Sequence, residues 1–253
     1  NYSLNIFRIN NANSSAVQLT KRSEGFINNY AVADNGYVYY ILYTPNGGLQ
    51  LWRNNGTDNN DILLNDSVSY SYPFNLKTVK NNVFFASIKS TAGAELWTSD
   101  GTQTGTKLVK DIAPGSISSN PYSLYTYDDK KIVFGADDGS GIALWASDGT
   151  ASGTVKLKSI QPYNQQNSYI DYNEFFTEIN GSLYFNASTI NTGAELWKTD
   201  GTKAGTMLIK NIAGLDTSSF PAYLTNVNGT LFFLANYQEL WKSYVTKSGT
   251  ALV

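Results

Sequence analysis

The chain has 253 residues, 14% aromatic and 15% charged, with a formal charge of −2 and neither histidine nor cysteine. That excludes a Ser-His-Asp triad, a cysteine nucleophile, an HExxH or thiolate zinc site and any disulfide. A pI of 5.2 without a Lys/Arg run excludes a nucleic-acid footprint.

In chain order, the first element is a hairpin. Asn5-Ile6-Phe7-Arg8 and Val17-Gln18-Leu19 form a partial unit over 1–20. Unit 21–66 carries an Asn35-Gly36 turn, then Gln50-Leu51-Trp52 and Asn55-Gly56-Thr57. Unit 67–112 contains Glu95-Leu96-Trp97-Thr98-Ser99-Asp100-Gly101-Thr102, and unit 113–160 repeats it around Trp145 and Asp148. Unit 161–212 repeats it most closely, around Glu195, Trp197 and Asp200. Unit 213–253 ends on Glu239-Leu240-Trp241. The tryptophans fall at 52, 97, 145, 197 and 241, one slot in each unit, and Phe7 stands in that slot 45 residues before Trp52. A period of about 40–50 residues marks a propeller, solenoid or array.

Each unit reads as four short strands. In the third they are Ser123–Tyr127, Ile132–Ala136, Ala143–Ser147 and Val155–Ile160. Asn35-Gly36, Asn180-Gly181 and Asn228-Gly229 separate the first two strands elsewhere, as expected of type I′ hairpins. Asp-Gly is expected to do the same in the second hairpin. The fold class is therefore all-β, a single β-propeller domain over 1–253 built of four-stranded antiparallel blades. Six copies of the second hairpin against five of the first give five blades plus an N-terminal hairpin. The alternatives are a sixth, incomplete blade and a piece of a longer array.

The string Glu-Leu-Trp-x-x-Asp-Gly-Thr-x-x-Gly-Thr, followed by Leu108-Val109-Lys110-Asp111-Ile112 and Pro114-Gly115, resembles the ELWxxDGT repeat of bacterial, often surface-exposed or secreted, proteins. The resemblance covers nearly the whole chain and is close around Trp97 and Trp197. It implies a propeller-like repeat domain and supplies no catalytic residue set. The plan is also similar to propeller lectins, at the level of fold alone.

Trp52, Trp97, Trp145, Trp197, Trp241 and Phe7 are read as core between blades. Asp100, Asp148 and Asp200 are read as turn residues bonding their own backbone, with calcium as the weaker alternative. No other cofactor is expected. Glu95, Glu195 and Glu239 open the third strands, where a carboxylate suits either sugar hydroxyls or backbone donors. The loops before the first strands supply the remaining ligand candidates: Tyr72, Asn120, Tyr122, Asn167, Tyr169 and Tyr223. Their uncharged aromatic and amide chemistry fits polar, neutral ligands.

The expectation is a non-enzymatic, lectin-like propeller, secreted or on the cell surface. It would hold glycans or a surface glycoprotein at several similar sites between blades. A protein-interaction or adhesion scaffold is the alternative, and a glycosidase or lyase a more distant one. The start at Asn1 reads as a mature or trimmed product. No apolar run approaches the about 20 residues of a membrane span, so no membrane insertion is expected.

Overall fold

The computed structural model describes residues 5–10, 15–20, 25–45, 48–57, 60–66, 76–162, 176–189, 191–214 and 217–253. The described residues hold strands and no helix, and so no helix long and apolar enough to cross a membrane. The N-terminal hairpin pairs β1 (Phe7–Asn10) with β2 (Ser15–Gln18). The first sheet follows: β3 (Phe26–Val32), β4 (Val38–Thr44), β5 (Gly48–Asn54) and β6 (Asp61–Asn65). The second contains β7 (Lys77–Val79), β8 (Asn82–Lys89), β9 (Gly93–Ser99) and β10 (Lys107–Lys110).

The third sheet consists of β11 (Tyr122–Tyr127), β12 (Lys131–Asp137), β13 (Ile142–Ser147) and β14 (Val155–Lys158). In the fourth, β15 (Gln161–Pro162) and β16 (Thr177–Ile179) both pair with β17 (Ser182–Thr189), ahead of β18 (Gly193–Thr199) and β19 (Met207–Lys210). The fifth is β20 (Ala222–Val227), β21 (Thr230–Ala235), β22 (Glu239–Ser243) and β23 (Thr250–Leu252). Every sheet is an antiparallel meander, the blade of a β-propeller. Among the described residues, the hairpin β1–β2 matches the third and fourth strands of a sheet and stands without the first two. This count fits a sixth, incomplete blade better than five blades with a cover.

The chain forms two compact units. One comprises 1–132, 137–139 and 147–154, the other 133–136, 140–146 and 155–253. Within each, sheets pack face against face. Directly opposed residues share a face, so Phe185 lies beside Trp197, while Asn186 lies beside Leu196 on the reverse. In the first unit Tyr39, Ile41 and Leu51 of one sheet pack against Val83, Phe85 and Trp97 of the next. In the second, Tyr184, Leu196 and Ile209 pack against Leu231, Phe233 and Trp241. The Phe/Trp face of each of these sheets thus covers the Leu face of its predecessor.

Trp145 and Trp197 are buried, and Trp52, Trp97 and Trp241 are half-buried. Phe7 departs from its expected core role: it is exposed, because among the described residues β1 pairs with β2 alone and no inner hairpin stands beside it. The Asn-Gly turns divide. Asn180-Gly181 and Asn228-Gly229 have positive φ at both positions, as a type I′ turn requires. At Asn35-Gly36 only the glycine does, and the Asn35 side chain accepts instead from the Tyr37 amide.

The Asp-Gly hairpins are not type I′ turns. They are seven-residue loops closed by their own side chains. Asp100 Oδ1 accepts from Thr102 N at 2.9 Å and Thr102 Oγ1 at 2.7 Å. The Gly105 amide donates to Thr102 Oγ1, and Thr106 Oγ1 donates to Thr102 O. Asp148 and Asp200 head identical loops. A Cβ at Gly105, Gly153 or Gly205 would overlap that aspartate's carboxylate, which explains the second glycine of the motif.

Candidate functional site

The sequence-expected residues separate into two groups. Glu95 and Glu195 are fully buried, and both are engaged inside the protein. Glu95 accepts from the amides of Ile112, Ala113 and Ser119, each at 3.1 Å, and from Ser119 Oγ at 2.5 Å. Glu195 repeats this with Ile212, Ala213 and Ser219. These carboxylates fasten the loop between one sheet and the next, so they are not available to a ligand. Burial pushes the Glu95 carboxyl above its usual range, and the four donors oppose that rise. Glu239 is exposed, and its Oε2 accepts from Trp241 Nε1 at 3.3 Å.

Asp100, Asp148 and Asp200 spend an oxygen on the threonine of their own turn, and this bond lowers the Asp100 and Asp148 carboxyls. Among the described residues no group of three His, Cys, Asp or Glu side chains could hold a metal ion. Tyr72, Tyr169 and Asn167 lie outside the described residues. Tyr122 is half-buried, and burial raises its phenol above the ordinary range.

The remaining candidates sit on one repeated loop. Ser119 and Ser219 are buried beneath it, held by the glutamates. Asn120 N and Phe220 N both donate to a third-strand carbonyl, Ala94 O and Ala194 O. Asn120 and Ser123 have positive φ, as do Phe220 and Tyr223 at the equivalent places. The backbone is thus the same in the third and fifth sheets, but the side chains differ. Ser123 is buried, whereas Tyr223 projects into solvent.

The fifth sheet carries a cavity of about 280 Å³. Phe220, Tyr223, Leu234, Tyr237 and Gln238 line it, together with Ser219, Ala222 and Ala235. No lining residue is charged. Tyr237 is almost wholly exposed and is not among the candidates the sequence offers. A signal for it existed. Glu239 follows Ala235 by four residues, where Glu195 follows Ala187 by eight. The fifth hairpin is therefore cut short, and Asn236, Tyr237 and Gln238 all take positive φ to close it. Such backbone at non-glycine residues costs about 1–3 kcal/mol each and collects at functional sites.

No protein-family model and no curated protein matches the sequence. Solved structures do. One is a puromycin-hydrolysing peptidase of Mycobacterium tuberculosis, with a TM-score of 0.53 and 10% identity, over 97% of this chain and 41% of that one. Another is a puromycin hydrolase variant complexed with PGG, with a TM-score of 0.52 and 11% identity, over 90% of this chain and 34% of that one. A nidogen/laminin complex matches with a TM-score of 0.41 and 10% identity, over 94% and 84% of the chains. This chain spans less than half the length of either peptidase. The peptidases overturn the expectation of a non-enzymatic chain: proteins of the same fold include hydrolases, so the fold does not exclude catalysis. At these identities the likeness is one of fold, and the fold is that of a propeller.

Proposed function

We propose that the chain is a carbohydrate-binding propeller module of a secreted or surface protein, akin to the ELWxxDGT repeats its motif resembles. The observation that carries this reading is the fifth-sheet cavity. Two exposed tyrosines, Tyr223 and Tyr237, line an uncharged space together with Gln238. Aromatic faces pack on the C–H faces of a pyranose, and an amide both donates to and accepts from hydroxyls. The volume is just below the range of common small-molecule sites and suits one sugar ring. The third-sheet loop has Ser123 in place of Tyr223, so the proposal rests on this one site rather than on one site per sheet.

A glycan array followed by calorimetry tests it. Millimolar or tighter binding of a neutral sugar is expected, with Tyr237→Ala and Tyr223→Ala each weakening it at least tenfold and leaving the melting temperature within a few degrees. No binding of any sugar at millimolar concentration overturns the reading.

A further inference from the structure

The fifth sheet leaves uncovered a face that every other sheet buries. Val227 is 47% exposed, whereas Ala33, Val79, Tyr127 and Ile179 in the same slot are 1–7% exposed. Leu240 is 46% exposed, whereas Leu51, Leu96, Leu144 and Leu196 are all at 0%. Phe232 is half-buried where Tyr39, Phe84, Val133 and Tyr184 are buried. Thr225 opposes Phe232, Val227 opposes Thr230 and Leu234 opposes Leu240, which puts these side chains on one continuous face. Where such a face is covered, the cover is the Phe/Trp face of a following sheet: Phe85 and Trp97 in one case, Phe233 and Trp241 in the other. Burying leucine, valine and phenylalanine side chains is favourable, so an open face of this composition favours a partner.

The repeat indicates which partner. The described residues contain six outer hairpins and five inner ones, and β1–β2 is the outer hairpin without an inner mate. We propose that the open face of the fifth sheet docks a β-hairpin of the repeat's inner type, from a segment outside residues 1–253. Its first strand would alternate, its turn would carry Asn-Gly or an equivalent, and its second strand would present a Phe in the slot of Phe85, Phe185 and Phe233. That Phe would lie on Phe232 and Leu240, as Phe233 lies on the Tyr184–Leu196 face. The face and the cavity share Leu234, and the two readings are tested apart because neither Leu240 nor Val227 lines the cavity.

The probe is a backbone-cyclised peptide of residues 176–189, the inner hairpin of the fourth sheet, added to the 253-residue protein. Cyclisation keeps the hairpin formed, because isolated hairpins are marginal. Saturable binding with Kd below 1 mM and a rise in melting temperature are expected. Leu240→Asp and Val227→Asp, both at exposed positions, should weaken binding at least tenfold with the fold intact. A peptide carrying Phe185→Ser should bind no better than background. Absence of binding, or binding indifferent to Leu240→Asp and Val227→Asp, overturns the proposal. So does self-association of the protein that Leu240→Asp abolishes, because a second copy would then cover the face.

Discussion

At the scale of single residues, the motif divides into bonds that stay local and bonds that span the fold. The aspartate turn is local, and it was legible because each bond joins residues at most seven apart. Variants confirm the logic. Asn55 replaces aspartate in the first sheet and still accepts from Thr57 N and Oγ1. In the fifth, Tyr244 replaces it, yet Thr246, Gly249 and Thr250 keep the rest of the loop. The glutamate latch was legible only as one of two readings, backbone donors or sugar hydroxyls, since its partners lie 17–24 residues ahead. Glu95→Ala would strand three amides and a hydroxyl, and an unmet buried donor costs about 1–3 kcal/mol. A loss of about 3 kcal/mol or more is expected in urea unfolding, against under about 0.5 kcal/mol for the exposed Glu239→Ala. Because the folded carboxyl of Glu95 is raised, protonation favours the fold. Its contribution is full below the unfolded value and declines as pH rises through the folded one. Glu95→Ala should therefore cost more near pH 4 than near pH 8.

At the scale of the strand, period-2 alternation and turn chemistry placed the third-unit strands to within two residues of those observed. Alternation alone cannot say what meets each face, which is why Phe7 shared the tryptophan slot yet is exposed. The tryptophans show what the slot does. Trp97 packs on the Tyr39–Leu51 cluster, and its Nε1 is buried without a hydrogen-bond partner. The indole contributes there through its apolar area. Trp97→Ala should cost about 3–5 kcal/mol through the cavity it leaves. Trp97→Phe gives up no hydrogen bond and keeps most of the area, so about 1–2 kcal/mol is expected. Equal losses for the two variants would mean that the indole N–H matters, contrary to the packing.

At the scale of the molecule, the period of the tryptophans announced a stack of equivalent sheets, and equivalence hid the exception. The fifth repeat keeps Val227, Phe232 and Leu240 apolar like its counterparts, so no residue type reveals that this face is open. The shortened loop before Glu239 and Tyr244 in the aspartate slot set the unit apart, and neither lies on that face. In such arrays stability is close to a sum of each repeat's own term and its interfaces with neighbours. A sheet with one covered face has one such interface in place of two, and it opens at lower cost. Amide hydrogen exchange reads this directly. The amides of β21 and β22 should exchange at least tenfold faster than those of β8–β9 and β17–β18, although their ladders are equally regular. Equal protection in all of these strands would mean that the molecule opens as one cooperative body and that the uncovered face carries no local penalty. A deficit confined to β20–β23 would locate the weakest part of the molecule at the sheet that also carries the cavity.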